Sequence, residues 1–198
     1  MKKLSNFKKI EGIKNLEKYS LPAPATIFIL DLKKQEKEID DFLKNRDIVM
    51  IRSDKEVDMS FCPHNLNCPK AKAKKFIEEL VSKGYAAILQ EHVPSEEDKL
   101  SGNILIFKKN ILMELMEGGP LTLLNREGKL DEYIKIRRND FKETEHFGKR
   151  LITKEDLGRV LKLIKKVPPF KILEFSIGQD WLYFWQIRDD KTAKELKD

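Results

Sequence analysis

What is scarce in this chain narrows its identity before any motif is read. Only two cysteines stand among 198 residues, which excludes a disulfide-stapled secreted scaffold and leaves Cys62 and Cys68 as expected thiols or metal ligands. No apolar run approaches the ~20 residues that cross a bilayer. The opening "MKKLSNFKKIEG" carries basic residues without the apolar stretch of a signal peptide. A cytoplasmic protein with no membrane partner is expected. No repeat or low-complexity segment occurs, and no block of one charge sign: 39 Lys and Arg are interleaved with 33 Asp and Glu, for a formal charge of +6. That dispersal describes a solvated mixed-sign surface and argues against nucleic acid as a partner.

What is present is enough apolar material for a core, 40% of residues, beneath a surface in which 36% are charged. The length allows one ordinary domain or two small packed lobes. Periodicity predicts a short helix over "GIKNLEKYS", ended by the prolines of "LPAP", then a strand at "ATIFIL". A helix follows over "KKQEKEIDDFLKNR", with Ile39, Phe42 and Leu43 on one face, and a strand at "DIVMIRS". "DKEVDMSFCPHNLNCPK" reads as a loop and "AKAKKFIEELVSKG" as a helix capped by Gly84. Beyond it come a strand at "YAAILQEHV", a turn at "PSEEDKLSG" and two strands in "NILIFKKNILMELMEGG" broken at Lys108 to Asn110. "KLDEYIKIRR" continues the sheet, His146 falls in a polar connection, and "TKEDLGRVLKLIKKV" is a helix with Thr153 as its N-cap. The fold class is therefore α+β, with a mostly antiparallel second half.

The closing hairpin, "KILEFSIGQDWLYFWQIRDD", carries polar groups on strands otherwise suited to burial. With a three-residue loop at Gly178, Gln179 and Asp180, Ile177 pairs with Trp181, and Glu174 falls opposite Phe184 and diagonal to Gln186, about 7–8 Å away. Two oxygen-bearing side chains at that spacing can share one cation. An even-length loop puts them on opposite faces, so a metal site depends on the odd one. The plainer reading has Glu174 facing water with Leu173 and Phe175 in the core.

"ILEFSIGQDWLYFWQIR" resembles the closing segment of the nucleotide-binding domain of pyruvate phosphate dikinase and phosphoenolpyruvate synthase. "YSLPAPATIFIL", "IVMIRSD", "AAILQEHVPSEEDKLSGNILIF", "ILMELMEGG" and "KLDEYIKIRR" resemble further segments of that family in the same order. The resemblance implies an ATP-grasp fold that takes ATP and Mg²⁺, with Glu174 and Gln186 as metal ligands and Arg52 and Arg188 on the phosphates in catalytic positions. It places Gln90, Glu91 and Val93 beside the adenine, Glu114 on the next strand, and Gly118 and Gly119 behind it. An ATP-site lysine is implied before "LPAP": family spacing favours Lys9, the local "GIKNL" pattern Lys14. The residue types suit a triphosphate, since arginine offers a fork of donors to phosphate oxygens and Mg²⁺ prefers hard oxygen ligands.

The chain departs from that family after Ser53, where a glycine-rich lid gives way to a segment without glycine. Nor does its length leave room for the swivelling phosphohistidine domain or the phosphoenolpyruvate barrel. Cys62, His64 and Cys68 in the replacement segment offer thiolate and imidazole ligands for Zn²⁺, but without the paired CxxC spacing or a fourth ligand. The expectation is one ATP-grasp-like domain over residues 1–198, with an N-terminal lobe to residue 84 and a C-terminal lobe from 85. It would bind ATP-Mg and transfer a phosphoryl or pyrophosphoryl group to an unknown acceptor, with a separate phosphoacceptor protein as one candidate. The alternatives are a catalytically silent nucleotide-binding or regulatory module and an ATP-grasp carboxylate ligase.

Overall fold

The computed structural model describes residues 6–56, 62–94, 97–119 and 130–190. Its elements run in the order α1 (Lys8–Lys18), β1 (Thr26–Ile29), α2 (Glu36–Leu43), β2 (Ile48–Asp54), β3 (Asn65–Pro69), α3 (Lys70–Ser82) and β4 (Ala86–Glu91). Then follow β5 (Leu100–Ile106), β6 (Asn110–Glu117), β7 (Glu132–Arg137), β8 (Glu143–Gly148), α4 (Lys154–Ile164), β9 (Lys171–Ile177) and β10 (Leu182–Asp189). Two antiparallel sheets result, ordered β1-β4-β2-β3 and β10-β9-β5-β6-β7-β8.

The chain divides into two compact units: residues up to Glu11 with Pro24–Val93, and Gly12–Ala23 with Pro94 onward. The lobe boundary expected at residue 84 thus falls at Val93, because β4 pairs on both sides within the first sheet, with β1 and β2. The first unit places α2 and α3 on one face of its sheet. Ala73, Ile77 and Leu80 recur at helical spacing on α3 and Ile39 and Leu43 on α2, and they pack with Ile29, Val49, Ile51, Ala87 and Leu89. Helix α3 stops where Gly84 takes a left-handed φ of 85°. At the start of α1, the fully buried Asp54 carboxylate accepts from the backbone N–H groups of Lys9 and Ile10 at 2.7 and 3.0 Å. A charge there complements the helix dipole and satisfies two donors that have no partner within the helix.

In the second unit, one sheet face buries Leu173, Phe175 and Ile177 with Ile104, Ile106, Met113, Leu115, Ile134 and Ile136 against Val160, Leu161 and Ile164 of α4. Thr153 caps α4, accepting from the Asp156 N–H at 3.0 Å as expected. Two strands differ from expectation. Residues 65–69, read as loop, form the edge strand β3 on β2. The polar connection holding His146 is edge strand β8, paired with β7. Neither carries the alternation that marks a half-buried strand: β8 is "ETEHFG" with no buried residue, and β3 buries only Cys68. Their pairing partners, not their own side chains, make them strands.

Candidate functional site

Strand alternation brings Arg52 and Gln90 to the face of the first sheet opposite its helices. Gln90 pairs in register with Thr26 and Met50, and Arg52 with Ile88. The Arg52 guanidinium donates to Gln90 Oε1 at 3.4 Å, and Gln90 Nε2 donates to Thr26 Oγ1 at 2.9 Å. Glu91, one residue on, alternates away, and its carboxylate lies 3.9 Å from Arg46. Its N–H donates to the Ala25 carbonyl. Val93 is half-buried beyond the strand end. Of the two candidate lysines, Lys9 donates from Nζ to the Ser53 carbonyl at 2.8 Å, next to Arg52 in sequence, whereas Lys14 is exposed on the part of α1 that belongs to the second unit.

The second sheet carries the other candidates, and here the expected register needs correction. Leu182 pairs with Ile177 across a four-residue connection, Gly178 to Trp181, rather than Trp181 with Ile177 across three. Taken alone, that even loop turns Gln186 away from Glu174. A β-bulge between Phe184 and Gln186 inserts Trp185 as an extra residue and reverses the alternation, so Gln186 comes directly opposite Glu174. Trp185 is held at the bulge by an Nε1–H bond to Ser176 Oγ at 2.8 Å. The pair is therefore closer than the diagonal arrangement expected, by a route that loop length does not reveal.

Glu174 is in turn opposite Asn103 of β5, Asn103 opposite Glu114 of β6, and Glu114 opposite Tyr133 of β7. Gln186, Glu174, Asn103 and Glu114 thus form one row across four strands, on the face away from the buried core, at the ~4.8 Å strand spacing. Arg188 lies two residues beyond Gln186, with Nε 3.9 Å from Glu174 Oε1. No motif singled out Asn103, and only the register reveals it.

Close packing shapes both ends of this row. Helix α1 passes β10 at Gly12, where an added Cβ would lie 2.8 Å from Gln186 Cγ and 2.6 Å from the Ile187 carbonyl oxygen. At the other end, a Cβ on Gly102 would run into the Glu114 carbonyl. The four polar residues are all hard oxygen donors, which fits Mg²⁺ and not a soft-ligand metal. Among the described residues no group of three or more His, Cys, Asp and Glu side chains is placed to hold a metal by itself. One carboxylate and one amide match an ion that keeps several waters and phosphate oxygens as ligands.

The zinc alternative is not built. Cys68 is fully buried among Ile29, Val49, Ile77 and Leu89, while Cys62 is half-buried and His64 exposed. Burial pushes the Cys68 thiol up in pKa, partly offset by Lys72, so little thiolate forms at neutral pH. A disulfide-exchange reagent is expected to titrate one thiol quickly in the native protein and the second only after denaturation. Two equally fast thiols, or protection of both by Zn²⁺, would contradict this placement. Beyond β6, Gly118 has a φ of 89° and donates to the Lys99 carbonyl. It lines an open cleft of about 590 Å³ with Asp98, Lys99, Glu117, Lys149, Arg150 and Leu151.

No protein-family model matches the chain, and neither does any curated protein sequence. Solved structures do match it in shape. D-alanyl-alanine synthetase A from Vibrio cholerae superposes with a TM-score of 0.55 at 9% identity, over 93% of this chain and 55% of that one. The ADP complex of N5-carboxyaminoimidazole ribonucleotide synthetase gives 0.54 at 12%, over 95% and 46%. An ATP-grasp ligase from Chryseobacterium gregarium, solved with ADP and a leader and core peptide, gives 0.50 at 11%, over 88% and 49%. The chain spans about half the length of these proteins. Its two antiparallel sheets in α+β units, aligned with theirs over nearly its whole length, give the protein the ATP-grasp fold.

Proposed function

We propose that this protein binds ATP with Mg²⁺ and uses it to activate a carboxylate. In that reaction the γ-phosphoryl passes to a carboxylate oxygen, giving ADP and an acyl phosphate. An amine then attacks the acyl carbon and phosphate leaves. The observation that carries the reading is the Gln186–Glu174 pair with Arg188 beside it, on the solvent side of the second sheet of an ATP-grasp fold. Likeness to synthetases solved with ADP supports the ligase type over other uses of ATP.

In this reading Glu174 and Gln186 hold the metal, which when bound neutralises phosphate charge. The half-exposed Arg188 offers a guanidinium fork to phosphate oxygens. In the first unit Gln90 and Val93 border the base in this reading, with the Glu91 side chain turned to the other face of the strand.

Calorimetric titration with ATP is expected to show binding that requires Mg²⁺ and weakens at least tenfold in Glu174→Ala, a loss of about 1.4 kcal/mol or more. Folded wild-type protein that ignores ATP would sink the proposal and leave an interaction module. A second reading, transfer of a phosphoryl or pyrophosphoryl group to a separate acceptor protein, is favoured by the dikinase-like order of Glu174, Gln186 and Arg188. The nucleotide product and its co-substrate dependence together separate the two, since ADP formed without carboxylate and amine supports phosphoryl transfer. ADP that appears only with added carboxylate and amine supports the ligase, whereas AMP formation supports pyrophosphoryl transfer.

A further inference from the structure

The first unit holds a chain of three hydrogen bonds whose direction is fixed at both ends. Thr26 of edge strand β1 pairs in register with Gln90 of β4, and Arg52 of β2 lies diagonal to Gln90 on the same face. The Thr26 hydroxyl donates to the Pro24 carbonyl at 2.7 Å, Gln90 Nε2 donates to Thr26 Oγ1 at 2.9 Å, and Arg52 Nη1 donates to Gln90 Oε1 at 3.4 Å. A carbonyl can only accept, so the single hydroxyl hydrogen of Thr26 is committed to Pro24 and its oxygen is left to accept. A guanidinium can only donate, so the Gln90 oxygen must face Arg52. Both ends therefore demand the same orientation of the amide. Gln90 is 1% exposed, and turning it over would set its NH₂ against the guanidinium and its oxygen against a hydroxyl with no hydrogen to offer. Each of those contacts would leave a buried group unsatisfied.

We infer that Thr26 is a positioning residue of the nucleotide site: acting through Gln90 rather than on a ligand, it locks the Gln90 amide in one orientation and so steadies the guanidinium of Arg52. The inference rests on the ATP reading for the ligand that Gln90 and Arg52 meet, but not for the relay itself. No motif points to Thr26, and only the pairing of β1 with β4 brings it to Gln90. A guanidinium tethered at one Nη nitrogen has less freedom to lose when an anion binds. Valine at position 26 keeps the shape of threonine and removes its oxygen. Gln90 Nε2 then loses this acceptor, and nothing at that end distinguishes the two orientations of the amide.

Rotation of the Arg52 guanidinium about its Nε–Cζ bond, followed by NMR in ¹⁵N-labelled protein without nucleotide, reads the relay directly, with the signal assigned by its loss in Arg52→Lys. Thr26→Val is expected to speed that rotation about threefold to tenfold, the size of one hydrogen bond's net contribution. Thr26→Ser, which keeps the hydroxyl, should restore the wild-type rate. Gln90→Met should speed rotation as much as Thr26→Val does, and Thr26→Val added to Gln90→Met should change nothing further. Unchanged rotation in Thr26→Val would overturn the inference, as would an effect of Thr26→Val that persists beside Gln90→Met. Should Thr26→Val fail to fold by circular dichroism, Thr26→Ala takes its place with the same expectations. Calorimetry with ATP and Mg²⁺ reads the consequence: affinity should fall about threefold to tenfold in Thr26→Val and recover in Thr26→Ser. A Thr26→Val protein that binds ATP as the wild type does would overturn the positioning role. Wild-type protein that ignores ATP while Thr26 still governs Arg52 rotation would refute the ATP reading and leave the relay standing.

Discussion

Glu132→Ala is expected to cost about 3–5 kcal/mol of stability, the range for breaking a buried charge network on one side. The Glu132 side chain is fully buried. Its Oε2 accepts from the backbone N–H groups of Leu151 and Ile152 at 2.8 and 3.1 Å. Its Oε1 meets His146 Nε2 at 3.0 Å and Arg150 Nη1 at 3.3 Å. Alanine would leave two backbone donors without an acceptor where the chain leaves β8 for α4, and each orphaned donor costs roughly 1–3 kcal/mol. Arg150 would keep Glu143, which it holds through two bonds of 2.8 and 3.0 Å. Those bonds draw the Glu143 carboxyl below its usual pKa, and burial offsets part of the effect. At 2–4 °C per kcal/mol for a chain of this size, the melting temperature should fall by roughly 10 °C. Glu132→Gln keeps one acceptor oxygen and should cost clearly less. Equal losses in the two variants would show that the backbone bonds at Leu151 and Ile152 are not the source of the effect.

Gly12→Val is expected to impair both the fold and the candidate site. A branched side chain cannot fit 2.6 Å from the Ile187 carbonyl oxygen, so α1 must move off β10 or the bulge at Trp185 must open. Overpacking of this kind costs about 1–3 kcal/mol. Opening the bulge displaces Gln186 from Glu174, and moving α1 removes the packing on the Gln186 stem, so the magnesium dependence of ATP binding should fall together with the melting temperature. Gly158 is the control: it lies on α4 with nothing within 4 Å of its missing Cβ. Gly158→Ala should stabilise by about 0.5–1 kcal/mol through helix propensity alone and leave nucleotide binding unchanged. A Gly12→Val protein with wild-type melting and wild-type magnesium dependence would remove the tight approach of α1 from the account of the site.

Much of this protein is legible from local pattern. Helices α3 and α4 announce themselves by apolar residues at helical spacing, with Gly84 and Thr153 at their ends, because a helix face is set by residues three and four apart. The strands that alternate apolar and polar residues, such as β7 and β9, are equally plain. Edge strands β3 and β8 are not: each pairs on one side only, with the strand just before it, and side chains that face solvent carry no apolar alternation. The thiols show the same limit: Cys62 and Cys68 lie six residues apart, yet pairing with β2 sends Cys68 into the core.

The candidate site divides along the same line. Residue identities drew attention to Glu174, Gln186 and Arg188 in the closing hairpin, and the family resemblance added Arg52 and the phosphate roles of both arginines, because carboxylate, amide and guanidinium chemistry travels with the side chain. Which of them meet was decided by tertiary structure. An even loop followed by one bulged residue put Gln186 opposite Glu174, where a one-residue change of register would have sent it to the other face. Sheet pairing then set Asn103 and Glu114 in the same row from strands some 60 to 70 residues earlier in the chain. Side-chain chemistry is a local property, whereas register sums loop length, bulges and packing across strands far apart in the chain.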